Sequence, residues 1–139
     1  MAEGKGEMER TLMIVKPDAV AKNVVGDIIR RVEEKGFEVV EIRMLHQTRD
    51  QAGNFYEVHK ERPFYNDLVD FMTSGPCVPM VLQRENAVTT LRDVIGATNP
   101  EEAVEGTIRH AHGADIQNNA VHGSDSPENA KIEIAHYFG

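Results

Sequence analysis

Six histidines are the residues of this 139-residue chain best suited to chemistry near neutral pH. Taken singly, each is most simply a solvated surface residue. His122 differs because it follows the apolar pair Ala120-Val121 and precedes Gly123, and a glycine lets a substrate approach closely. A neutral imidazole there is a competent nucleophile that can form a covalent intermediate. A carboxylate bound to one ring nitrogen would leave the other free to attack, and Glu133 is the candidate for that role.

Cations and a hydroxyl elsewhere in the chain suit a phosphoryl group, because phosphoryl transfer depends largely on positioning and charge stabilisation. The candidates are Lys16, Arg92, Thr98 and Arg109. From Asp93 to the C-terminus the sequence has eight acids and only two bases, Arg109 and Lys131. Arg109 is therefore either half of a structural ion pair or the anion contact of a site. Equally, Arg92 could be an exposed helix residue and Thr98 a helix cap.

The common phosphate-binding and catalytic motifs are absent from the sequence. It contains no G-x-x-x-x-G-K-[ST], G-x-G-x-x-G, C-x-x-C, H-E-x-x-H or G-x-S-x-G. Any phosphate must therefore be held mainly by side chains and local backbone. His110 and His112, with His136, leave open a second function, that of a metal-binding module.

Composition and charge narrow the function further. The formal charge of −8 argues against non-specific nucleic-acid binding. Cys77 is the single cysteine, so no internal disulfide can form and a reducing compartment is favoured. No long apolar run indicates a membrane span, and residues 1–5 lack a signal-peptide apolar region. We expect a cytoplasmic protein with a flexible N-terminal lead-in over residues 1–8 and a single domain over residues 9–139.

The elements that must position these residues follow from apolar spacing. Runs of apolar residues predict strands at 12–15, 37–45 and 78–82, and helical spacing predicts helices that begin near residues 25, 50, 63, 85 and 126.

Finer features of this pattern predict local structure. Lys16-Pro17-Asp18 indicates a turn, and a helix stripe is expected along Phe64, Leu68, Phe71 and Met72. Pro79 favours an edge position or a bulge for its strand. The long irregular stretch 96–121 is typical of a functional segment, with a short fourth strand near 120–121. The order fits an α+β fold of the ferredoxin-like (split βαβ) type, an antiparallel four-stranded sheet covered by helices.

Several short segments occur in one order along the chain. They are Glu9-Arg10-Thr11-Leu12 with Lys16-Pro17-Asp18-Ala19-Val20, Arg62-Pro63-Phe64-Tyr65, Ser74-Gly75-Pro76, Gly96-Ala97-Thr98-Asn99-Pro100, Gly106-Thr107-Ile108-Arg109, and the segment from Asn119 to Ser126 that contains His122. Together they resemble the nucleoside diphosphate kinase family from about residue 9 to the C-terminus.

The resemblance implies a reaction and a set of site residues. His122 would take the γ-phosphate of a nucleoside triphosphate and pass it to a nucleoside diphosphate in a ping-pong reaction. The implied catalytic residues are His122, Glu133, Ser124, Tyr56 and Lys16. The implied nucleotide-binding residues are Lys16, His59, Phe64, Leu68, Arg92, Thr98, Arg109, Ile116 and Asn119.

The resemblance also implies ligands and partners. Phe64 would stack on the base, with Ile116 on the other face, so base specificity would be low. Mg²⁺ would arrive bridging the phosphates of the nucleotide, and the protein would supply no metal ligands of its own. Substrates would be ATP, GTP, ADP, GDP and their relatives, with no specific nucleic acid or membrane partner. A homo-oligomer, either tetramer or hexamer, is expected.

Two places in the sequence depart from the family pattern, one of three residues and one of a single residue. After Arg109 the family has a small residue, an aspartate and an aromatic residue, whereas this chain has His110, Ala111 and His112. Asn118 stands where many relatives have a basic residue. The first departure concerns the packing of this loop rather than the nucleophile. An alternative function, a non-catalytic nucleotide-binding regulatory module, would require loss of the histidine or of the phosphate ligands, and both are present.

Overall fold

The computed structural model describes residues 8–139. Within that range the strands are β1 (Met8–Val15), β2 (Glu38–Ile42), β3 (Val78–Glu85) and β4 (Val121–Gly123). The helices are α1 (Pro17–Ala21), α2 (Val25–Glu34), α3 (Arg49–Phe55), α4 (Tyr65–Met72), α5 (Ala87–Ile95), α6 (Ile108–His112) and α7 (Pro127–Phe138), with short 3-10 helices at Glu57–His59 and Pro100–Glu102. The expected lead-in lies outside the described residues except for Met8, which begins β1.

The four strands form one antiparallel sheet in the order β2-β3-β1-β4. This confirms the predicted α+β class and the four-stranded sheet. The short β4 occurs close to the predicted position, and its His122 pairs with Ile14 of the inner strand β1. His122 therefore lies on an edge strand that is held against a fully buried part of β1.

Alternation along the strands divides the apolar residues between two cores. Met13 and Val15 of β1 face one core together with residues of α2 and α5. Leu12 and Ile14 face the other, where α3, α4 and α7 pack. Val121 joins the first core, so the alternation turns His122 toward the second face, beside α3 and α7.

Pro79 does not lie in an edge strand, because β3 is an inner strand of the sheet. Its carbonyl accepts a hydrogen bond from the Arg43 N–H at 3.2 Å, so its nitrogen also points toward the β2 side. There the ladder is interrupted between Ile42 and the isolated bridge that joins Leu45 to Cys77. The register is unchanged from Ile42–Met80 to Leu45–Cys77 and places Pro79 opposite Arg43, so the missing N–H removes the one ladder bond that the Arg43 carbonyl would accept.

Other local predictions were also wrong. The expected turn at Lys16-Pro17-Asp18 is the start of α1, with Lys16 at the N-cap and the proline in the first turn. Phe64 precedes α4 rather than joining its buried stripe, and it is 45% exposed. The irregular stretch 96–121 contains α6 and a 3-10 helix. No helix among residues 8–139 is long and apolar enough to cross a membrane.

Candidate active site

His122 is bound on one side by a carboxylate. Its Nε2 lies 2.9 Å from Glu133 Oε1, and Ser124 Oγ donates to the same oxygen at 2.6 Å. A carboxylate can only accept, so Nε2 carries a proton in this bond. Nδ1 is therefore the ring nitrogen that this interaction leaves available. The bond to Glu133 also restricts the orientation of the imidazole ring.

Helix α7 brings Glu133 back to the strand that carries His122. The turn after β4 ends at Ser126, whose Oγ accepts from the Asn129 N–H at 3.1 Å and caps the helix. Pro127 occupies the first turn, where its lack of an N–H costs nothing. The cap and the proline thus fix where α7 begins, and Glu133 follows six residues after Pro127.

The backbone before the nucleophile is strained. Ala120 has φ +77°, and the Val121 N–H donates to the Asn119 carbonyl at 2.9 Å, which closes a γ-turn of the unfavourable hand. The turn is held from outside, since the Ala120 N–H donates to Asp18 at 3.1 Å and its carbonyl accepts from the Lys16 N–H at 2.9 Å. Such strain persists only where the surroundings over-determine the conformation.

A cavity of about 490 Å³ opens beside His122. It gathers seven of the residues expected at the site, which come from five different parts of the chain. These are Tyr56, His59, Arg92, Thr98, Arg109, His122 and Glu133. The imidazole is 26% exposed and its carboxylate partner 19%, so the pair is partly shielded from water. Cations, a hydroxyl and a nucleophile therefore converge on one concave surface.

Arg109 is anchored rather than ion-paired. Its guanidinium donates to the backbone carbonyls of Gly96 at 3.1 Å, Asn119 at 3.3 Å and Val121 at 2.8 Å. Burial, with the Arg92 charge beside it, lowers the pKa of Arg109 to about 10. Within residues 8–139 the partners of this cation are neutral carbonyls, which leaves its charge available for an anion.

Lys16 and Asn119 form a buried pair behind this cavity. Lys16 Nζ donates to Asn119 Oδ1 at 2.8 Å and to the Gln117 carbonyl at 3.0 Å. Asn119 Nδ2 donates to the Thr98 carbonyl at 3.1 Å, which links the pair to the loop after α5. Burial lowers the pKa of Lys16 to about 8, partly offset by the negative charge of Asp18. The ammonium is thus poised to lose its proton in mildly alkaline solution.

The three residues expected at the base do not line this cavity. Phe64 is 45% exposed and packs against His59 with ring centroids 5.5 Å apart, and Ile116 is 63% exposed. Leu68 packs against the second core. Gln117 Nε2 donates to the Asp67 carbonyl at 3.4 Å, and this bond links the segment that contains Ile116 to α4, which contains Leu68. Tyr56 is buried, and burial raises the pKa of its hydroxyl.

Phe55 is a site residue that the sequence reasoning missed. Its ring packs edge-on against the His122 ring, with centroids 5.5 Å apart. Asn129 and Ile132 on α7 also line the cavity, as does Asp125 before the helix. The α7 pair had a signal in the sequence, because Asn129 lies three residues before Ile132 and four before Glu133, which makes it a neighbour of both on the helix surface. Phe55 had none, because only the tertiary fold brings α3 to β4.

Metal ligands are not gathered anywhere in the described part of the chain. Among residues 8–139 no three or more His, Cys, Asp or Glu side chains lie close enough to hold an ion together. The three-histidine metal site does not form. His112 contacts Asp27 at 2.6 Å, and His136 packs against Phe55 with ring centroids 5.3 Å apart.

Comparisons with known proteins agree with this geometry. The family model described as nucleoside diphosphate kinase matches residues 9–139. A nucleoside diphosphate kinase of Persephonella marina is 57% identical over 131 residues, 94% of each chain. One from Myxococcus xanthus is 60% identical over 94% of this chain and 90% of its own. The crystal structure of the Aquifex aeolicus nucleoside diphosphate kinase superposes with a TM-score of 0.94 at 46% identity, covering 96% of both chains. The chain therefore belongs to the nucleoside diphosphate kinase family and is an enzyme, a phosphotransferase that acts on nucleotides.

Proposed function

We propose that this chain transfers the γ-phosphate of a nucleoside triphosphate to a nucleoside diphosphate in two half-reactions, through a phosphohistidine on His122. The observation that carries the proposal is the bond between His122 Nε2 and Glu133, which leaves Nδ1 available in a cavity lined by Arg92, Thr98 and Arg109. A histidine that served only structure would not need a cationic cavity beside it in a molecule of net charge −8.

The chemistry balances without a further reactant. Nδ1 of His122 attacks the terminal phosphorus, and an N–P bond forms as the bond from that phosphorus to the bridging oxygen breaks. The electron pair leaves with the oxygen, and the nucleoside diphosphate departs. A terminal oxygen of a second nucleoside diphosphate then attacks the phosphorus, and the pair returns to Nδ1. Because the bonds broken and formed are alike, the equilibrium lies near unity.

The other side chains stabilise charge and hold the nucleotide. Arg92, Thr98 and Arg109 line the cavity and would contact the phosphates, and Lys16 would add positive charge from behind it. Preorganised donors in a partly shielded cavity act more strongly than donors in water. Glu133, supported by Ser124, keeps the imidazole oriented and stabilises the positive charge that develops on it.

The remaining expected residues complete the nucleotide site. Phe64 and Ile116 would provide exposed apolar faces for the base, with Leu68 at its entrance and with Asn119 and Lys16 near the ribose and phosphates. Tyr56, which is buried, and His59 would line the cavity near His122. Stacking reads the base weakly, so specificity among bases is low. A magnesium ion would be carried by the phosphates of the nucleotide and would neutralise part of their charge.

Incubation with ATP labelled in the γ-phosphate, without acceptor, tests the proposal. One label per chain is expected, acid-labile, mapping to His122 and discharged by added GDP or CDP. The variant His122→Ala is expected to take up no label and transfer no phosphate. Full transfer by His122→Ala, or a label on another residue, contradicts the mechanism. Binding of ATP without labelling identifies the non-catalytic alternative.

We also infer a homo-oligomer, tetramer or hexamer. Strand β2 is at the edge of the sheet. Its last residue, Ile42, is 46% exposed, and Met44, just after it, is 60% exposed. An exposed apolar edge strand is a template for pairing with another copy. Light scattering at micromolar concentration gives the molar mass, and a value of 15.5 kDa contradicts the inference.

A further inference from the structure

Helix α6, which carries Arg109, is tied to α2 by a polar cluster that the phosphate chemistry does not use. His112 Nε2, at the end of α6, lies 2.6 Å from Asp27 Oδ2. The same oxygen accepts from Arg31 Nε at 2.8 Å. The other oxygen of Asp27 accepts from Arg30 at 2.6 Å. One carboxylate of α2 thus joins two arginines of its own helix to the imidazole of α6.

Two further bonds run between the same segments. Lys22 Nζ donates to the His112 carbonyl at 2.9 Å. Arg31 Nη1 donates to the Gly106 carbonyl, just before α6, at 3.1 Å. We name Lys22, Asp27, Arg31 and His112 the α2–α6 strap. It holds the segment 106–112 at both of its ends.

The strap is partly buried, unlike an ordinary surface ion pair. The side chains of His112, Asp27 and Arg31 are 15%, 28% and 24% exposed, whereas those of the neighbouring Arg30–Glu34 pair are 53% and 59% exposed. Hydrogen bonds from Arg31 and then His112 hold the pKa of Asp27 well below its usual range. The carboxylate therefore stays charged, and charge-assisted bonds at partly buried positions are the strong ones.

Helix α6 needs such support because it has only five residues. A helix that short has no stability of its own and depends on tertiary contacts. Arg109 lies three residues before His112, on the same turn of helix. The carbonyls of Gly96, Asn119 and Val121 hold the guanidinium end of Arg109, and the strap holds its backbone end.

We propose that the α2–α6 strap, through the bond between His112 and Asp27, is a positioning device for Arg109. It sets the helix so that the N–H groups of Arg109 left over from its carbonyl bonds face the nucleotide phosphates. The proposal rests on the phosphate role given to Arg109 in the proposed function. It also gives a role to His112, one of the residues that depart from the family pattern, through its polar partner on α2.

The test compares strap variants in two backgrounds. His112→Phe keeps a flat ring but removes the N–H, and Asp27→Asn removes the charge. Each is expected to raise the KM for ATP about threefold to tenfold with little change in kcat, since one polar interaction is lost. In the Arg109→Ala background the same substitutions are expected to leave KM unchanged, because a positioning residue acts only through its target. The matched control, Glu34→Gln on α2, breaks an exposed pair and keeps KM unchanged.

Two milder variants guard against loss of folding. His112→Gln retains an N–H donor and is expected to recover most of the affinity lost in His112→Phe. Lys22→Met alters an exposed side chain and is expected to raise KM in the same direction by less. Melting temperatures are measured in parallel with KM. A purely structural role of the strap would lower the melting temperature equally in both backgrounds without the change in KM.

The outcomes distinguish the proposal from the proposed function. If the rise in KM persists in the Arg109→Ala background, or if only melting temperatures change, the strap does not act through Arg109 and the proposal is overturned, while transfer through His122 stands. If Arg109→Ala itself leaves KM and kcat unchanged, the phosphate role of Arg109 fails and the strap proposal fails with it. Failure of His122 to become labelled concerns the proposed function alone.

Discussion

At the scale of single residues, the site depends on one carboxylate oxygen that serves two partners. Glu133 Oε1 accepts from His122 Nε2 at 2.9 Å and from Ser124 Oγ at 2.6 Å. The hydroxyl is fully buried, so its donor has no access to water and remains directed at the carboxylate. The carboxylate therefore has little freedom to leave the imidazole.

Glu133→Gln is expected to lower kcat about tenfold to a hundredfold, because the amide orients the ring less well and offers no charge to an imidazolium. Ser124→Ala is the matched control, with a smaller loss expected since the carboxylate itself remains. Single-turnover labelling with ATP measures both. Equal rates for Glu133→Gln and the unmodified chain would show that the carboxylate does not orient the nucleophile.

Lys16 predicts how nucleotide affinity depends on pH. Its pKa is lowered by burial to about 8 in the folded chain, from an ordinary value of 10.5. The ammonium that attracts phosphate is lost as pH rises through 8, so the KM for ATP is expected to rise about tenfold between pH 7 and pH 9. Lys16→Met is expected to have a high KM with little pH dependence, while Lys131→Met, at an exposed lysine, keeps the rise.

The stability effect of Lys16 has the opposite sign. Between pH 8 and 10.5 the unfolded chain holds a proton on Lys16 that the folded chain has released. The free energy of unfolding therefore increases with pH across this range. Loss of affinity at pH 9 is therefore not a consequence of unfolding at this residue. A pH-independent KM in the unmodified chain would mean that the Lys16 charge does not contribute to binding.

At the scale of elements, the loop after α5 must pass very close to the start of α6. Gly96 has φ +93°, and a Cβ on it would lie 2.6 Å from Thr107 Oγ1, the side chain that caps α6. Gly106 has φ +98° but open space around it. A substitution at Gly106 therefore introduces backbone strain alone, whereas one at Gly96 introduces both strain and a steric clash.

Gly96→Ala is expected to cost about 2–4 kcal/mol of unfolding free energy, because it adds a clash to the strain of the left-handed backbone. Gly106→Ala is expected to cost about 1 kcal/mol. Gly26→Ala, at an ordinary helical position of α2 with nothing within 4 Å, is expected to be stabilising by a few tenths of a kcal/mol. Urea denaturation measures all three. Similar costs at Gly96 and Gly106 would contradict the close approach to Thr107.

At the scale of the whole molecule, the two cores share the sheet but support different parts of the site. The core beneath α3, α4 and α7 contains Tyr56, Tyr137 and the single cysteine, Cys77. The cysteine is fully buried, burial raises the pKa of its thiol, and Gln47 contacts its sulfur at 3.5 Å. A thiol reagent can therefore reach Cys77 only when this core opens.

Cys77 is expected to react with a thiol reagent slowly in the folded chain and at once in concentrated urea. ATP at 100 times its Kd is expected to slow the reaction about a hundredfold if exposure requires global unfolding, because the ligand binds only the folded state. Mass spectrometry follows the modification. Rapid labelling that nucleotide does not slow would show that this core opens independently of the site.

Much of the fold could be predicted from local pattern alone. Side-chain period and capping act over a few residues, so they specify an element from its own sequence. This holds for the apolar run before Lys16, for the helical spacing from Val25 and for the Ser126-Pro127 cap. The sheet order does not follow from such signals. Pro79 shows this, since a proline favours an edge strand, whereas the fold places it in an inner strand that lacks one ladder bond to β2.

The sequence by itself determined the nucleophile candidate, its orienting carboxylate and the scattered cations, because residue types and short motifs carry that chemistry. Only the tertiary structure decided that Phe55 packs on His122, that Arg109 rests on three backbone carbonyls, and that His112 reaches Asp27. The hydrogen bonds of Arg109 and His112 join residues that lie 10 to 85 positions apart in the sequence. Their physical cause is the packing of helices on a shared sheet, which no local pattern records.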